Sequence, residues 1–223
     1  LVAGVRTIAA PGWPGCLCLY GPDAFVVVAG RSNKCEAPVV AAARLGPGRI
    51  VALGHNGYFG REALASGDTA RLLLNAVRWL SGPRPLRIAV QGLPDFLAEL
   101  RRQGLAADAL SGEDWPAKLA GYTVLVTTSA PAYQPTEVEA VQGFIRAGGG
   151  LLAGDTPWGW RQLNPGKRLT VEHGGNQVIA AAGMVWAEGG LDRTAPAGFT
   201  VEAAPAPLIH AGAALAAIEA NAR

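Results

Sequence analysis

The chain has 223 residues, of which 50% are hydrophobic and 16% charged, and its formal net charge is +2. A chain this long and this apolar buries a substantial core, which excludes intrinsic disorder. The small net charge gives no basic footprint for nucleic acid and no apolar run is long enough to span a bilayer, so we expect neither partner.

Residues 1–60 have the pattern of a β-rich extension. Short apolar runs predict strands at Val5–Ala9, Cys16–Tyr20 and Phe25–Ala29, with a turn at 21–23. Val39–Leu45 and Arg49–Gly54 predict a β-hairpin, because two aliphatic arms flank a Gly-Pro-Gly loop.

Beyond the hairpin, the pattern changes to helices that alternate with strands. Apolar residues at helical spacing predict a helix that begins at Asp68 or Thr69 and ends before Gly82. Further strands are predicted at Leu86–Gln91, Leu105–Leu110, Tyr122–Thr128, Leu151–Gly154 and Met184–Ala187. Helices are predicted between these strands: one begins at Leu93, one spans Glu113–Leu119 and one spans Gly175–Gly183. A further helix begins after Pro135, with a capping box of Thr136 and Glu139, and a last helix spans Leu208–Asn221.

This alternation predicts the fold class. Strand–helix–strand units over residues 84–190 favour a parallel sheet that is covered by helices on both faces. We therefore expect an α/β, flavodoxin- or Rossmann-like three-layer sandwich in a single domain over residues 1–223, with the N-terminal hairpins at or beside one sheet edge. The first residue is Leu1 rather than Met, which predicts an excised piece of a longer protein.

Three cysteines leave two interpretations open. Cys16 or Cys18 can form a bridge with Cys35, or all three can be free thiols. A zinc site is less favoured, because no fourth ligand lies at a typical spacing.

Candidate site residues follow the predicted strands, at the sheet edge where open α/β proteins bind ligands. His55, Asn56 and Tyr58 follow the hairpin, and Gln91 follows the next strand. Asp155 follows a Gly-rich strand, where a nucleophile elbow would hold Ser or Cys. Asp155 and His55 are therefore the catalytic candidates and Asn56, Tyr58 and Gln91 are ligand-binding candidates. The alternative for both Asp155 and His55 is a structural hydrogen bond.

Trp158 and Trp160 lie in the Gly- and Pro-containing segment after Asp155. Aromatic faces near a strand end stack on sugar rings or on a partner's side chains, so both are candidate ligand-binding residues. The alternative is that they pack a long loop onto the sheet. His173 and His210 have no partner nearby in the sequence, and we assign them no role.

Several motifs are absent from the sequence. It contains no dinucleotide-binding G-x-G-x-x-G after a strand, no P-loop, no H-E-x-x-H and no G-x-S-x-G. We therefore expect no cofactor and no metal in this chain.

Four segments in order carry a family resemblance over about residues 20–190. They are GPGRIVALGHNGY at 46–58, LNAVRWL at 74–80, GGGLLAG at 148–154, and Trp158 and Trp160 followed by NPGK at 164–167. The chain resembles the N-terminal region of the TRPM-channel-associated factors and their bacterial relatives. The resemblance implies a class I glutamine amidotransferase-like domain that precedes an enhancin-like, mucin-directed metallopeptidase domain.

The resemblance also implies a loss of activity. Amidotransferases of this class have a Cys at the elbow and a downstream His and Glu, whereas this chain has Gly154 and Asp155 there. We therefore expect a non-catalytic accessory or binding module, with a glycan or glycoprotein and an adjacent peptidase-like domain as partners. The alternative hypothesis is a hydrolase or lyase that uses Asp155 and His55.

Overall fold

A computed structural model describes residues 1–32, 35–128, 133–201 and 205–222. Its strands are β1 (Thr7–Ala9), β2 (Gly15–Leu19), β3 (Ala24–Arg31), β4 (Glu36–Leu45), β5 (Gly48–Leu53), β6 (Ile88–Val90), β7 (Ala107–Ala109), β8 (Val124–Thr128), β9 (Gly150–Gly154), β10 (Met184–Gly190) and β11 (Gly198–Thr200). Its helices are α1 (Arg61–Leu64), α2 (Thr69–Ser81), α3 (Pro94–Arg102), α4 (Trp115–Lys118), α5 (Pro135–Arg146), α6 (Pro157–Leu163), α7 (Leu169–Glu172), α8 (Gly174–Ile179) and α9 (Ala211–Asn221).

The central feature is a seven-stranded sheet in the order β3-β4-β5-β9-β8-β6-β7. The strands from β5 to β7 are parallel, and β3, β4 and β5 form antiparallel pairs. This confirms the expected Rossmann-like α/β architecture. The predicted hairpin is confirmed too, with Leu45 paired to Gly48. Its second arm, β5, continues directly into the parallel part of the sheet through β9.

Helices cover both faces of this sheet, as the alternating pattern predicted. Val51 and Leu53 of β5 face one side and pack with Leu73 and Val77 of α2. Ile50 and Ala52 face the other side, in the cluster that also contains residues of α5 and α8. Because successive residues of a strand point to opposite faces, the apolar run of β5 contributes to both cores.

Two sequence-based predictions need correction. Met184–Ala187 forms a strand, but β10 pairs antiparallel with β2 and does not join the parallel sheet. The capping box of α5 is formed by Glu137, whose side chain accepts from Gln134 N at 2.7 Å, and not by Thr136 and Glu139. For the cysteines, the sequence left two interpretations open, and the structure has all three as free thiols.

β10 takes its position from one buried side chain. Trp186 is fully buried, and its Nε1 donates to Leu53 O at 2.9 Å. Asn176 in α8 accepts from Trp186 N and donates to Trp186 O. These bonds hold β10 and α8 against the carboxyl end of β5, because a buried indole N–H needs an acceptor.

Candidate functional site

The candidate residues meet at one edge of the sheet. β5 and β9 are parallel neighbours, with Leu53 paired to Gly154. Their carboxyl ends therefore bring the segment 55–58 beside the segment 155–160, as the sequence predicted. Gly154 is required in this approach, because a Cβ there would lie 2.8 Å from His55 O.

Asp155 is buried against a histidine that the sequence reasoning missed. Its side chain is 2% exposed and that of His173 is 0% exposed. His173 Nε2 lies 2.8 Å from Asp155 Oδ2, and Asp155 Oδ1 accepts from Thr156 N at 2.6 Å. Because His173 Nε2 makes no hydrogen bond among the described residues, the approach to Oδ2 is a close electrostatic contact.

The tautomer of His173 follows from the hydrogen bond at its other ring nitrogen. Nδ1 accepts from Asn176 N at 3.2 Å, which caps α8. An accepting nitrogen carries no proton, so the ring proton is assigned to Nε2, which faces Asp155. Trp160 and Trp186 lie edge-on to this ring, with centroids 5.2 Å and 6.1 Å away. The pair is therefore enclosed by aromatic side chains.

His173 carried only a weak signal in the sequence. It directly precedes Gly174 and the start of α8, where an acceptor side chain caps a helix. His210 precedes α9 in the same way, and its Nδ1 accepts from Ala213 N. A search for helix-capping histidines would have found both, but only the fold places His173 beside Asp155.

His55 lies at the same edge of the sheet, but its side chain faces a cleft and not the enclosed Asp155–His173 pair. Its Nδ1 accepts from Gly57 N at 2.8 Å. The side chain lines a cleft of about 710 Å³, together with Arg61, Asp95 and Arg193. Burial lowers the pKa of His55 below its ordinary value, and the nearby charge of Asp155 opposes this shift. The imidazole is therefore neutral at pH 7, with Nε2 as its N–H donor.

The other predicted ligand-binding residues contact protein groups. Asn56 Oδ1 accepts from Thr156 Oγ1 at 3.1 Å, and Gln91 Oε1 accepts from Thr127 Oγ1 at 2.9 Å. Tyr58 is fully buried, which raises the pKa of its phenol. Its hydroxyl has no hydrogen-bond partner among the residues that the structure describes. Asn56 and Gln91 are half-buried, so they are more accessible to solvent than Tyr58.

The two tryptophans after Asp155 have different environments. Trp160 is only 9% exposed and packs against His173, so it stabilises the core of this edge. Trp158 is half-buried, and its Nε1 donates to Trp13 O at 2.9 Å. The rings of Trp13 and Trp158 are tilted by 44° with centroids 6.2 Å apart. Trp13 is 52% exposed, so the aromatic pair that faces solvent is Trp13 with Trp158.

Polar groups lie beside this pair. The ring of Trp13 lies across Gly190, where a Cβ would be 2.1 Å from the indole. Glu188 is two residues earlier in β10, and its Oε1 contacts Arg161 Nε at 2.7 Å. Arg161 lies one helical turn after Trp158 in α6. We call Trp13, Trp158, Arg161 and Glu188 the Trp13–Trp158 platform.

A metal-dependent site is not visible in the described ranges. Among these residues, no three His, Cys, Asp or Glu side chains are grouped in a way that could hold a metal ion. In the same ranges, no helix has the length and apolar character needed to cross a bilayer.

The family model described as "TRPM8, N-terminal domain" matches residues 1–195. The chain belongs to this family. The TRPM8 channel-associated factor 2 of Bos taurus is 31% identical over 214 residues, which cover 96% of this chain and 21% of the relative. The human TRPM8 channel-associated factor 1 is 33% identical over 178 residues, which cover 77% of this chain and 17% of that protein. The chain thus spans about a fifth of the length of these relatives.

Two solved structures are similar to the fold. The metallopeptidase IMPa of Pseudomonas aeruginosa in complex with an O-glycopeptide matches 82% of this chain, and 21% of its own, with a TM-score of 0.59 and 18% identity. IMPa in complex with T-antigen matches 89% of this chain, and 22% of its own, with a TM-score of 0.55 and 18% identity. At this identity the likeness concerns the fold.

Proposed function

We propose that residues 1–223 form one glutamine amidotransferase-like domain without catalytic activity, which serves as an accessory module of a larger metallopeptidase-like protein that acts on glycoproteins. The observation that carries the proposal is the buried Asp155–His173 pair. The family resemblance implies that Asp155 takes the elbow position at which an amidotransferase has its nucleophilic cysteine, and in this fold a downstream histidine, His173, faces the carboxylate. The carboxylate contacts His173 and a backbone amide, and at 2% exposure it offers no surface to a substrate.

The thiols of this chain do not replace the missing nucleophile. Cys16 and Cys18 belong to β2, and Cys35 lies between β3 and β4. Burial raises the pKa of the Cys16 and Cys18 thiols, which disfavours the reactive thiolate. The alternative of a hydrolase or lyase that uses Asp155 and His55 has less support, because Asp155 is enclosed while His55 lines the cleft.

The accessory role that we propose is glycan binding by the Trp13–Trp158 platform. An indole face stacks on the C–H groups of a sugar ring, while neighbouring charged groups bond its hydroxyls. Trp13 presents such a face, and Arg161 and Glu188 supply the charged groups beside it. The structurally similar IMPa is described in complexes with an O-glycopeptide and with T-antigen, which supports a glycan as the class of ligand.

A glycan titration tests the proposed binding role. Mucin-type O-glycans titrated into the isotopically labelled chain should shift the indole N–H resonances of Trp13 and Trp158, and Trp13→Ala and Trp158→Ala should each remove the binding. Leu163→Ala is the matched control, because Leu163 is an exposed apolar residue of the same helix as Trp158. Glycan binding that survives both tryptophan substitutions would exclude the platform.

The absence of catalysis has its own test. Glutaminase and ester-hydrolysis assays should give the same background rate for the wild-type chain and for Asp155→Asn. A wild-type rate that is clearly higher than that of Asp155→Asn would contradict the non-catalytic assignment, whatever the outcome of the glycan titration.

A further inference from the structure

A second surface lies at the opposite edge of the sheet, where the parallel strands begin. Arg44 is near the end of β4 and Arg49 near the start of β5, and the two are directly paired across the hairpin. Like charges at paired positions of an antiparallel ladder repel and destabilise it. This pairing of two arginines is therefore not explained by the stability of the hairpin.

Both guanidinium groups lie near one indole. The Cζ atoms of Arg44 and Arg49 lie 5.7 Å and 5.3 Å from the ring centroid of Trp79 in α2. Phe25 of β3 contacts the same ring edge-on at 6.0 Å and is 41% exposed. We call Phe25, Arg44, Arg49, Trp79 and Arg84 the Arg44–Trp79 face.

The arginines of this face use only some of their N–H donors in hydrogen bonds within the protein. Arg49 Nη1 donates to Trp79 O at the end of α2, and Arg84 Nη2 donates to Gly148 O after α5. These bonds cap helix C-termini, where cations are favourable. Each guanidinium has five N–H groups, so most of the donors remain available. Arg44 makes no side-chain hydrogen bond among the described residues beyond its contact with the Trp79 ring.

Among the described residues, no carboxylate lies within ion-pair distance of Arg44, Arg49 or Arg84, although Asp23 is the cross-strand neighbour of Arg44, whose N donates to Asp23 O at 3.2 Å. The ion pairs in the described part of the chain involve other cations, namely Arg31, Arg61, Arg102, Lys118, Arg161 and His173. Burial, followed by the charges of Arg44 and Arg84, lowers the pKa of Arg49, which is consistent with three cations close together. An external anion would relieve this repulsion.

We propose that the Arg44–Trp79 face binds an acidic segment of a partner polypeptide. Glutamate or aspartate side chains would accept from the guanidinium groups of Arg44, Arg49 and Arg84, and an apolar side chain of the segment would pack on Phe25 and Trp79. Arg and Trp are the residue types that dominate the energetics of protein–protein interfaces, and Arg matches the geometry of a carboxylate. The exposed ring of Phe25 beside the half-buried ring of Trp79 favours a polypeptide over a purely charged polymer.

This face is independent of the glycan site. Arg49 and Gly150 pair at the start of β5 and β9, whereas Asp155 and Trp158 follow the end of β9. The two surfaces therefore lie at opposite ends of the same strands. A partner bound at one edge leaves the other edge open, and failure of one assignment has no bearing on the other.

The test measures fluorescence anisotropy of a labelled peptide of Glu-Glu-Phe repeats with the full chain. A peptide with Lys in place of Glu is its control. We expect saturable binding of the acidic peptide alone, and weaker binding as salt is added. Arg44→Gln should weaken it by about fivefold or more, and Arg44→Glu should remove it. Arg44 has no capping role, so these variants should keep the wild-type circular dichroism spectrum and thermal midpoint.

Arg102→Gln is the matched control, because Arg102 is an exposed arginine that is already paired with Glu99. This variant should bind like the wild type. Failure of the wild-type chain to bind the acidic peptide would overturn the proposal, as would equal losses in Arg44→Gln and Arg102→Gln. Heparin fragments or phosphatidylserine vesicles that bind more tightly than the peptide, and depend on Arg44, would overturn the assignment to a polypeptide.

Discussion

His173 Nε2 and Asp155 Oδ2 are 2.8 Å apart in the interior of the protein, although eighteen residues and two short helices separate them in the chain. The carboxylate thereby joins the turn after β9 to the cap of α8. This relationship makes Asp155 a structural group, and it gives the first prediction.

Asp155→Ala should destabilise the fold by about 3 kcal/mol, because removal of one partner leaves the other polar group buried and unpaired. Asp155→Asn should cost less, since an amide oxygen can still accept from Thr156 N. The measurement is urea unfolding followed by circular dichroism. Asp192→Ala, at an exposed aspartate, is the control and should change stability by less than about 0.5 kcal/mol. Equal stability of Asp155→Ala and the wild type would contradict a structural pair.

The pH dependence of stability should carry a contribution from His55. Its pKa is lowered from 6.5 in the fold, chiefly by burial, so the unfolded chain binds the proton more readily than the folded chain. Both states are neutral at this residue well above pH 6.5, and there the contribution is absent. As pH falls below 6.5, the unfolded state gains the proton first and stability decreases, until the folded-state pKa is reached.

The variant His55→Asn isolates this contribution. Asn keeps an acceptor for Gly57 N but does not titrate, so the loss of stability between neutral and mildly acidic pH should be smaller than in the wild type. Urea midpoints measured across this range give the comparison. Identical pH profiles for the two proteins would show that His55 is not shifted.

Gly190→Ala should damage the Trp13–Trp158 platform without removing an aromatic residue. The new Cβ would overlap the indole of Trp13, which must move away. We expect a red shift of the tryptophan emission and a loss of glycan binding. Gly143→Ala is the control, because nothing lies within 4 Å of a Cβ at that exposed helix position. It should keep glycan binding and stabilise the fold by up to about 1 kcal/mol.

Trp186→Phe tests how β10 is held at the end of the sheet. The substitution keeps an aromatic ring but removes the bond from Nε1 to Leu53 O, which then retains only Asp155 N as its donor. We expect the loss of this one hydrogen bond to cost about 0.5–1.5 kcal/mol in urea unfolding. Amide hydrogen exchange should become faster in β10 and in its partner β2. Unchanged exchange in both strands would show that other contacts hold them.

The sequence alone was sufficient for elements with strong local signals. The hairpin of β4 and β5 follows from its Gly-Pro-Gly loop, and α2 follows from an apolar stripe between its cap and Gly82. The parallel direction of the core strands, although not their order in the sheet, also followed from alternation, and Asp155 was predicted to follow β9. In each case neighbours within a few residues determine the backbone, so periodicity and turn chemistry predict the result.

The tertiary structure decided which distant side chains meet. Nothing local in the sequence pairs β10 with β2, places His173 against Asp155, or sets Trp13 beside Trp158 in place of Trp160. These contacts depend on burial, since Trp186 must find an acceptor in the core and Trp160 must fill the space beside His173. The sequence placed an aspartate directly after β9, and only the packing shows that its carboxylate is enclosed.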